Sequence, residues 1–437
     1  MTTEIAILNK SAVALAADSA VTIRINGTEG DAHKVLNTAN KLFSLSKFAP
    51  VGLMIYGTAS IMDIPWETVV KMFREQLHDK TFPHLQDYAS EFFAFLDKYP
   101  IPKDQEKHHV MSVSAGVFVD CFEQLREWVD KETTKPSSKP LKNNDIQKKL
   151  NELINEHYKQ AKHLVDKKIF GVGQYNNVKK SYRTEILKLA NDIFKGIQTT
   201  ATAKNRLVAI ASTASLLNIG RDRSGIVIAG FGDKDIFPSC HEHDVWSIIR
   251  GKSVWRKTRV DEISHKSTAS IMPFAQSHDV HTFMTGLGPR LENFLRNTFN
   301  SMMTDALPES LIDEIDKEVK LSKAKKAKLL KLTKDLCSGA NDRVFDDLKK
   351  KKKIDYIDPV VQATSFLNKA ELAAMAETLV NLVSFRKQVT MEAETVGGPI
   401  DVAIISKGDG FVWIKRKYYF PNELNRPFYD KYLLETN

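Results

Sequence analysis

Residues 2–18 read TTEIAILNKSAVALAAD, and this stretch decides the fold. Two apolar runs, EIAIL at 4–8 and AVALAA at 12–17, flank the polar triplet Asn9-Lys10-Ser11. Short apolar runs joined by a polar connection of this length are typical of two β-strands and a tight hairpin turn. The stretch therefore predicts antiparallel β-structure at the start of the chain, with Asp18 in the second strand, AVALAADSAVTI at 12–23.

The segments that follow continue the strand pattern and then change to helical spacing. KLFSLS at 41–46 and VGLMIYG at 51–57 complete a predicted four-stranded antiparallel meander. After Pro65, apolar residues recur at i, i+3, i+4 and i+7, namely at Trp66, Val69, Val70, Phe73 and Leu77. A second helix is predicted around LQDYASEFFAFLDKY at 85–99, and both helices are expected to cover the sheet.

The rest of the chain alternates between helical and strand-like segments. Residues 101–220 contain a Lys/Pro/Ser-rich loop and long polar helices, and 305–365 is a charged helical segment. Further strands are predicted at SGIVIAGFG (224–232), HDVWSIIRG (243–251), SIMPFA (270–275), VHTFMTGLG (280–288), PIDVAIISK (399–407) and GFVWIKRK (410–417). One helix is predicted to begin near Pro289, and a separate amphipathic helix is predicted to span 368–389.

This order of segments predicts an α+β fold with a four-layer αββα sandwich, antiparallel sheets and large, mainly helical insertions. The sandwich core is assigned to 1–100, 221–304 and 366–437. The insertions are assigned to 101–220 and 305–365.

Composition excludes several classes of protein. The 437 residues are 42% hydrophobic and 27% charged, which is ordinary for a globular protein. Cys121, Cys240 and Cys337 are few and widely spaced, so no disulfide framework is expected and a reducing compartment is favoured. No secretory signal or membrane-spanning run is recognisable, which predicts a cytoplasmic protein that does not enter the membrane.

The net charge of +9 is concentrated in lysine runs such as 325–334 and 349–353. Such runs are usually solvated helix faces, and no nucleic-acid-binding motif accompanies them, so nucleic-acid binding is disfavoured. Two histidine clusters, CHEH at 240–243 and HDVH at 278–281, lack diagnostic metal-ligand spacing, and no metal is predicted. RGKS at 250–253 lacks the first glycine of a phosphate-binding loop, because Trp246 stands there, and no cofactor is predicted.

Several segments together resemble the proteasome β-subunit family of N-terminal nucleophile (Ntn) hydrolases, including bacterial proteasome-related peptidases. TTEIAIL is similar to the family's first strand, VALAADSAVT to its second, NKLFSL…VGLMIYG to the lysine strand and its partner, and GGPIDVAIISKGDGF to a late hairpin. In that family an acid follows the nucleophilic threonine by sixteen residues, and Thr2 and Asp18 have this spacing, since 18 − 2 = 16. Thr3 fits the spacing less well.

The resemblance implies roles for particular residues. Thr2 would be the nucleophile and, once Met1 is removed, its free α-amino group would be the base. A lysine paired with Asp18 would stabilise the alkoxide, and Gly57 would supply a backbone N–H to the oxyanion. Lys41 is favoured because it leads into the strand pair that ends at Gly57, while the family's residue count selects Lys34 as the alternative.

Two positions depart from the family pattern. An Asp-x-x-Ser pair commonly precedes the two glycines, but Ala393 and Val396 stand there, with Glu392 and Glu394 close by. The family's Gly-Ser-Gly turn reads Gly286-Leu287-Gly288, next to the hydroxyl of Thr285. These departures keep an inactive scaffold open as an alternative.

The leading functional hypothesis is a threonine-type hydrolase that cleaves amide bonds, chiefly peptide bonds, through an acyl-enzyme. The alternatives are a catalytically inactive proteasome-like scaffold or interaction protein, and a small-molecule amidase. Implied partners are a peptide or protein substrate, further copies of the chain in a homo-oligomer, and an unfoldase or another protein.

Overall fold

The computed structural model describes the backbone at residues 3–27, 30–134, 140–219, 223–390, 397–418, 420 and 424–427, and the side chains of these residues except 22–34. The strands are β1 (Thr3–Asn9), β2 (Ala12–Ala17), β3 (Val21–Gly27), β4 (Gly30–Leu36), β5 (Leu42–Ser44), β6 (Val51–Gly57), β7 (Ser60–Ile61), β8 (Ile64–Pro65), β9 (Ser224–Gly230), β10 (Ser239–Ile248), β11 (Ser253–Glu262), β12 (Ala269–Ala275), β13 (Asp401–Ser406) and β14 (Gly410–Lys415).

Helices occupy most of the remaining described residues. They are α1 (Trp66–Leu77), α2 (Leu85–Lys98), α3 (Lys103–Thr133), α4 (Asn143–Asp166), α5 (Val172–Ser181), α6 (Arg183–Ile193), α7 (Ala201–Leu217), α8 (Ser277–Thr285), α9 (Pro289–Ser301), α10 (Leu307–Val319), α11 (Lys323–Lys352), α12 (Asp358–Phe366) and α13 (Lys369–Val389). Short π-helical turns at Met302–Ala306 and Lys353–Ile357 connect α9 to α10 and α11 to α12.

Within the described residues, the strands form two five-stranded sheets and two short hairpins. The first sheet has the order β12-β1-β2-β13-β14, and the second has the order β11-β10-β9-β6-β5. Neighbouring strands in both sheets run antiparallel. The expected fold class, α+β with antiparallel sheets, is confirmed at this level.

The two sheets face each other through a shared apolar core. Ala6 and Leu8 of β1 point into this core, together with Met54 of β6 and Val227 of β9. Because side chains alternate along a strand, Ile5 and Ile7 point to the opposite face of the first sheet, where they pack against α13. Strand β1 is therefore buried on both faces, which explains its nearly continuous apolar run.

The second sheet is covered on its other face by α1, α2 and the helices of residues 103–217. The predicted apolar positions of α1 are all buried in this cluster, as are Phe92 of α2 and Phe118 of α3. Phe73 and Phe92 meet edge to face with ring centroids 5.1 Å apart. The helical spacing read at 66–77 therefore marks a helix that packs on a sheet.

The predicted four-stranded meander is wrong. β1 and β2 lie in the first sheet, whereas β5 and β6 lie in the second. The predicted strand 12–23 is also wrong, because β2 ends at Ala17 and Val21 begins the separate β3–β4 hairpin. Strand propensity along the chain gave no information on which strands pair, since pairing is set by packing between distant segments.

Two further differences lie in the second half of the chain. VHTFMTGLG was expected to be a strand, but residues 277–285 form α8, whose Val280 packs against the first sheet. Residues 253–262 form β11, which was not expected because Arg, Lys, Asp and Glu interrupt the apolar alternation. Most of β11 is exposed, as befits an edge strand.

Residues 103–217 and 307–366 are largely helical, as the sequence indicated, while the division into core and inserted regions stays a prediction. Among the described residues, no helix combines the length and the apolar character needed to cross a membrane.

Phe92→Ala is expected to lower the free energy of unfolding by about 3–5 kcal/mol, because the ring is fully buried and its loss leaves a cavity. Phe366→Ala is the matched control, since Phe366 is 87% exposed and its removal should change stability by no more than about 0.5 kcal/mol. Urea unfolding followed by circular dichroism measures both values. Equal losses in the two variants would contradict the packing of α2 on the second sheet.

Candidate active site

Asp18 follows the last residue of β2 and is completely buried. Its Oδ1 accepts hydrogen bonds from the backbone N–H of Thr3 (3.0 Å) and from the Lys41 ammonium (2.5 Å). Its Oδ2 accepts from the backbone N–H of Gly397 at 3.1 Å. A buried carboxylate is costly unless it accepts hydrogen bonds and pairs with a cation, so the start of β1, the chain before β5 and the chain before β13 are all fixed around Asp18.

Lys41 immediately precedes β5 and is only 5% exposed. Besides Asp18, its ammonium contacts Oε1 of Glu4 at 3.5 Å. Its carbonyl oxygen accepts from the backbone N–H of Ile55 in β6 at 2.9 Å, which holds the lysine beside the strand that ends at Gly57. The structure therefore brings Lys41 and Asp18 together in direct contact.

Glu4 is a member of this charged cluster that the sequence interpretation missed. It is completely buried on β1 and lies on the strand face that also carries Ala6 and Leu8, between the two sheets. The signal was present in the sequence: a glutamate in the otherwise apolar run EIAIL is a charge in a buried strand, and such a charge needs a partner. Glu4 and Asp18 thus share the ammonium of Lys41.

Lys34, the alternative to Lys41, lies on β4, where it pairs with Ile23 in the hairpin register. Its side chain is outside the described residues. The choice of Lys41 over Lys34 as the catalytic lysine stays a prediction, to which the Lys41–Asp18 contact adds a geometric reason.

Gly57 ends β6 with φ = +82°, a backbone conformation that side-chain-bearing residues rarely adopt. A Cβ atom at this position would lie 2.1 Å from the carbonyl oxygen of Arg223, so only glycine fits. Gly57 and Lys41 line the same cavity of about 10 Å³, roughly the space of one water molecule. The cavity is otherwise bounded by Val21, Asn40, Ile55, Tyr56, Thr58, Ala59 and Trp66.

A hydroxyl network that the sequence did not reveal holds the chain next to Gly57. Ser224 is the register partner of Gly57, and its Oγ lies 2.5 Å from Oγ1 of Thr58. The indole N–H of Trp66 donates to the same Ser224 Oγ at 2.8 Å. The first residue of α1 is therefore bonded to the strand end, which fixes the glycine's position.

Thr2 lies outside the described residues, as do Ala393, Val396, Glu392 and Glu394. Thr3 is described and is 1% exposed. Its backbone nitrogen, which donates to Asp18, is covalently bonded to the carbonyl carbon of Thr2. Thr2 is thus one peptide bond from the buried charged cluster.

Thr285, which precedes the turn Gly286-Leu287-Gly288, is the last residue of α8, and its hydroxyl forms hydrogen bonds at the end of this helix. It donates to the carbonyl oxygens of His281 (2.8 Å) and Leu287 (2.9 Å). No hydrogen bond found in the described part of the chain joins it to Asp18 or Lys41.

The histidine clusters do not converge. His241 and His243 lie on one face of β10, as expected for alternate strand positions, with ring centroids 6.4 Å apart, whereas His278 and His281 lie on α8. Burial lowers the pKa of His241 to about 4 and that of His243 to about 3, so both rings are neutral at pH 7. In the described residues, no group of three or more His, Cys, Asp or Glu side chains is placed to hold a metal ion.

No protein-family model matches the sequence, and no curated protein matches it.

Lys41→Met is expected to lower the free energy of unfolding by about 3–5 kcal/mol, because it leaves two buried carboxylates without their cation. Lys71→Met is the control: Lys71 forms an exposed i,i+4 pair with Glu67, worth about 0.3–0.5 kcal/mol. Both values follow from chemical denaturation at pH 7. A Lys41 variant as stable as the Lys71 variant would show that the buried cluster does not exist in solution.

Proposed function

We propose that this protein is an N-terminal threonine hydrolase of the Ntn class, which cleaves amide bonds and, in the first place, peptide bonds. The observation that carries the proposal is the buried Lys41–Asp18 ion pair: Asp18 accepts from the backbone N–H of Thr3, the residue that follows Thr2 in the sequence, and Lys41 lines a cavity with Gly57. Two facing antiparallel sheets with helices on their outer faces agree with the αββα sandwich of that class.

The nucleophile would be the hydroxyl of Thr2, with its own α-amino group as the base. The amine takes the hydroxyl proton while the oxygen bonds to the substrate carbonyl carbon, and the carbonyl π electrons move to its oxygen. Collapse of this tetrahedral species breaks the C–N bond, and the amine returns the proton to the leaving nitrogen. Water then hydrolyses the resulting ester and regenerates Thr2.

Lys41 would act on the first step through its charge. An ammonium beside the hydroxyl stabilises a developing alkoxide, and the contacts with Asp18 and Glu4 hold that ammonium in place. Gly57, at the end of β6 in a conformation and a space that only glycine fits, would present a backbone N–H to the oxyanion. The chemistry requires no metal and no cofactor.

Removal of Met1 is a condition of this mechanism. With Met1 attached, the nitrogen of Thr2 is an amide and cannot accept a proton, so the proposed base does not exist. The small side chain of Thr2 is compatible with removal of an initiator methionine.

A non-catalytic scaffold is the second candidate, favoured by the apolar surface of α9–α12. Helix α9 has no buried residue, and Phe294 (62% exposed) and Phe366 (87% exposed) are open to solvent. Exposed apolar patches of this kind mark sites of protein interaction. As a scaffold, the protein would use these helices to bind its partner, and Thr2→Ala would leave its function intact.

A small-molecule amidase uses the same threonine chemistry and would cleave a simple amide without any unfoldase. Assembly into a homo-oligomer is proposed together with the peptidase activity. The predicted insertions at 101–220 and 305–365 are the elements that would block ring packing or replace it with another oligomer.

Intact-protein mass spectrometry of the native protein, with and without a threonine-directed epoxyketone, tests the nucleophile. We expect a mass lacking Met1 and a single probe adduct. Thr2→Ala should abolish the adduct, whereas Thr378→Ala, which removes an exposed hydroxyl on α13, should retain it. Retained Met1, or an adduct that survives Thr2→Ala, would refute the mechanism and favour the scaffold.

The rate of probe labelling distinguishes the two lysines. Lys41→Met should slow labelling by about 10²–10³-fold, the usual cost of removing one group that stabilises a developing negative charge. Lys34→Met should leave the rate within a few-fold of the parent, and Lys71→Met serves as a surface control. The opposite result, slow labelling only in Lys34→Met, would move the catalytic role to Lys34.

A further inference from the structure

Glu242 and Asp244 are two acidic residues of β10 that the proposed mechanism does not use. They alternate with the histidines of this strand and therefore share the face of Cys240, which lies in the core between the two sheets. Asp244 is only 1% exposed, and a charge in such a position is costly unless it is paired. The partners of both carboxylates are residues that adjoin Gly57.

Glu242 is bonded to Tyr56, the residue that precedes Gly57. The Tyr56 hydroxyl donates a hydrogen bond to Oε1 of Glu242. Tyr56 belongs to β6 and Glu242 to β10, and strand β9 lies between them. The ring can cross β9 because a glycine stands in its path: a Cβ atom on Gly225 would lie 1.9 Å from Cζ of Tyr56. The hydrogen bond therefore ties the end of β6 to a strand that it does not pair with.

The Tyr56 side chain is held from two sides. Burial, followed by the hydrogen bond and the charge of Glu242, raises the pKa of Tyr56 well above its ordinary value. The phenol therefore keeps its proton at neutral pH and is the donor, while Glu242 is the acceptor. From the first sheet, Phe274 of β12 stacks on the Tyr56 ring with centroids 5.9 Å apart. These contacts leave the ring one position between the sheets.

Asp244 holds Arg223, which contacts Gly57 from the neighbouring strand. The carbonyl oxygen of Arg223 lies 2.1 Å from the position that a Cβ atom of Gly57 would take. Nε of Arg223 lies 2.7 Å from Oδ1 of Asp244, and a second arginine, Arg256, contacts Oδ2 at 3.2 Å. The two carboxylates of β10 thus hold the residue before Gly57 in the chain and the residue beside it in the sheet.

The direction of the Gly57 N–H depends on these neighbours. Glycine has more backbone conformations open to it than any other residue, so its own preferences do not fix the N–H. The Gly57 nitrogen and the Tyr56 carbonyl belong to one planar peptide unit, and the position of Tyr56 therefore helps to set the direction of that N–H. A donor stabilises an oxyanion well only if it is oriented before the reaction begins.

We infer that Tyr56 and Glu242 are positioning residues for the oxyanion donor at Gly57. The hydrogen bond between their side chains anchors the peptide unit that carries the Gly57 N–H, and neither side chain has to touch the reacting atoms. The inference rests on the proposed function. It adds to the candidate active site a support that reaches across the second sheet from β6 to β10.

The kinetics of labelling by the threonine-directed epoxyketone test the inference on the full-length protein. The dependence of the labelling rate on probe concentration separates the affinity for the probe, KI, from the maximal rate of labelling, kinact. Tyr56→Phe removes only the hydroxyl. It should lower kinact by about tenfold and leave KI unchanged, because a displacement of about 1 Å near the reacting atoms can cost about 10²-fold in rate. A role in binding the probe would raise KI instead.

Variants of Glu242 show whether the hydrogen bond itself matters. Glu242→Ala removes the acceptor and should lower kinact as much as Tyr56→Phe does, and the double variant should be no slower than either single variant. Glu242→Gln keeps a carbonyl oxygen that can accept from the phenol, so it should restore kinact to within a few-fold of the parent value. Tyr99→Phe is the matched control, because its hydroxyl bonds to Sδ of Met72 at 3.4 Å, and it should leave kinact unchanged.

Thermal melting of all variants establishes that they are folded. The parent kinact in Tyr56→Phe, a change in KI alone, or a Glu242→Gln variant as slow as Glu242→Ala would overturn the inference and leave the proposed hydrolase standing. A parent protein that takes up no probe would refute the proposed function, and this inference with it.

Discussion

The contact on which the rest of this structure depends is the buried salt bridge of Lys41 with Asp18 and Glu4. The two carboxylates belong to β1 and to the end of β2 in the first sheet, while the lysine leads into β5 of the second. Charges removed from water are costly unless they are paired, so this contact fixes where the two sheets meet. The backbone N–H groups of Thr3 and Gly397 complete the coordination of Asp18 and bring the ends of two further segments to the same point.

The ends of the second sheet show how glycine permits close approach of neighbouring backbone where strands stop. Gly57 brings its backbone against Arg223 at one end, and Gly232 brings its backbone against His84 at the other. A side chain at either position would force the neighbouring segment away. Each close approach lies beside a cavity that polar groups line, one containing Lys41 and the other the oriented pair of His84 and Asp235.

The candidate functional surfaces have different physical characters. The candidate active site is small, buried and centred on one lysine, which suits a mechanism that stabilises a developing negative charge in a dry environment. The helices at 289–366 form another surface, which carries several exposed large apolar side chains.

The sequence by itself determined the local elements and the candidates for catalysis. The apolar run at 3–9, the helical spacing at 66–77 and the amphipathic segment at 369–389 correspond to β1, α1 and α13, because local patterning depends mainly on which face each segment buries. Asp18, Lys41 and Gly57 were identified as candidate catalytic residues from their positions in the sequence and from its resemblance to a known family. Three features were decided only by the tertiary structure. β1 and β2 lie in a different sheet from β5 and β6, residues 277–285 form a helix, and Glu4 joins the charged cluster. These features arise from contacts between residues far apart in the chain, and neither periodicity nor propensity contains information about such contacts.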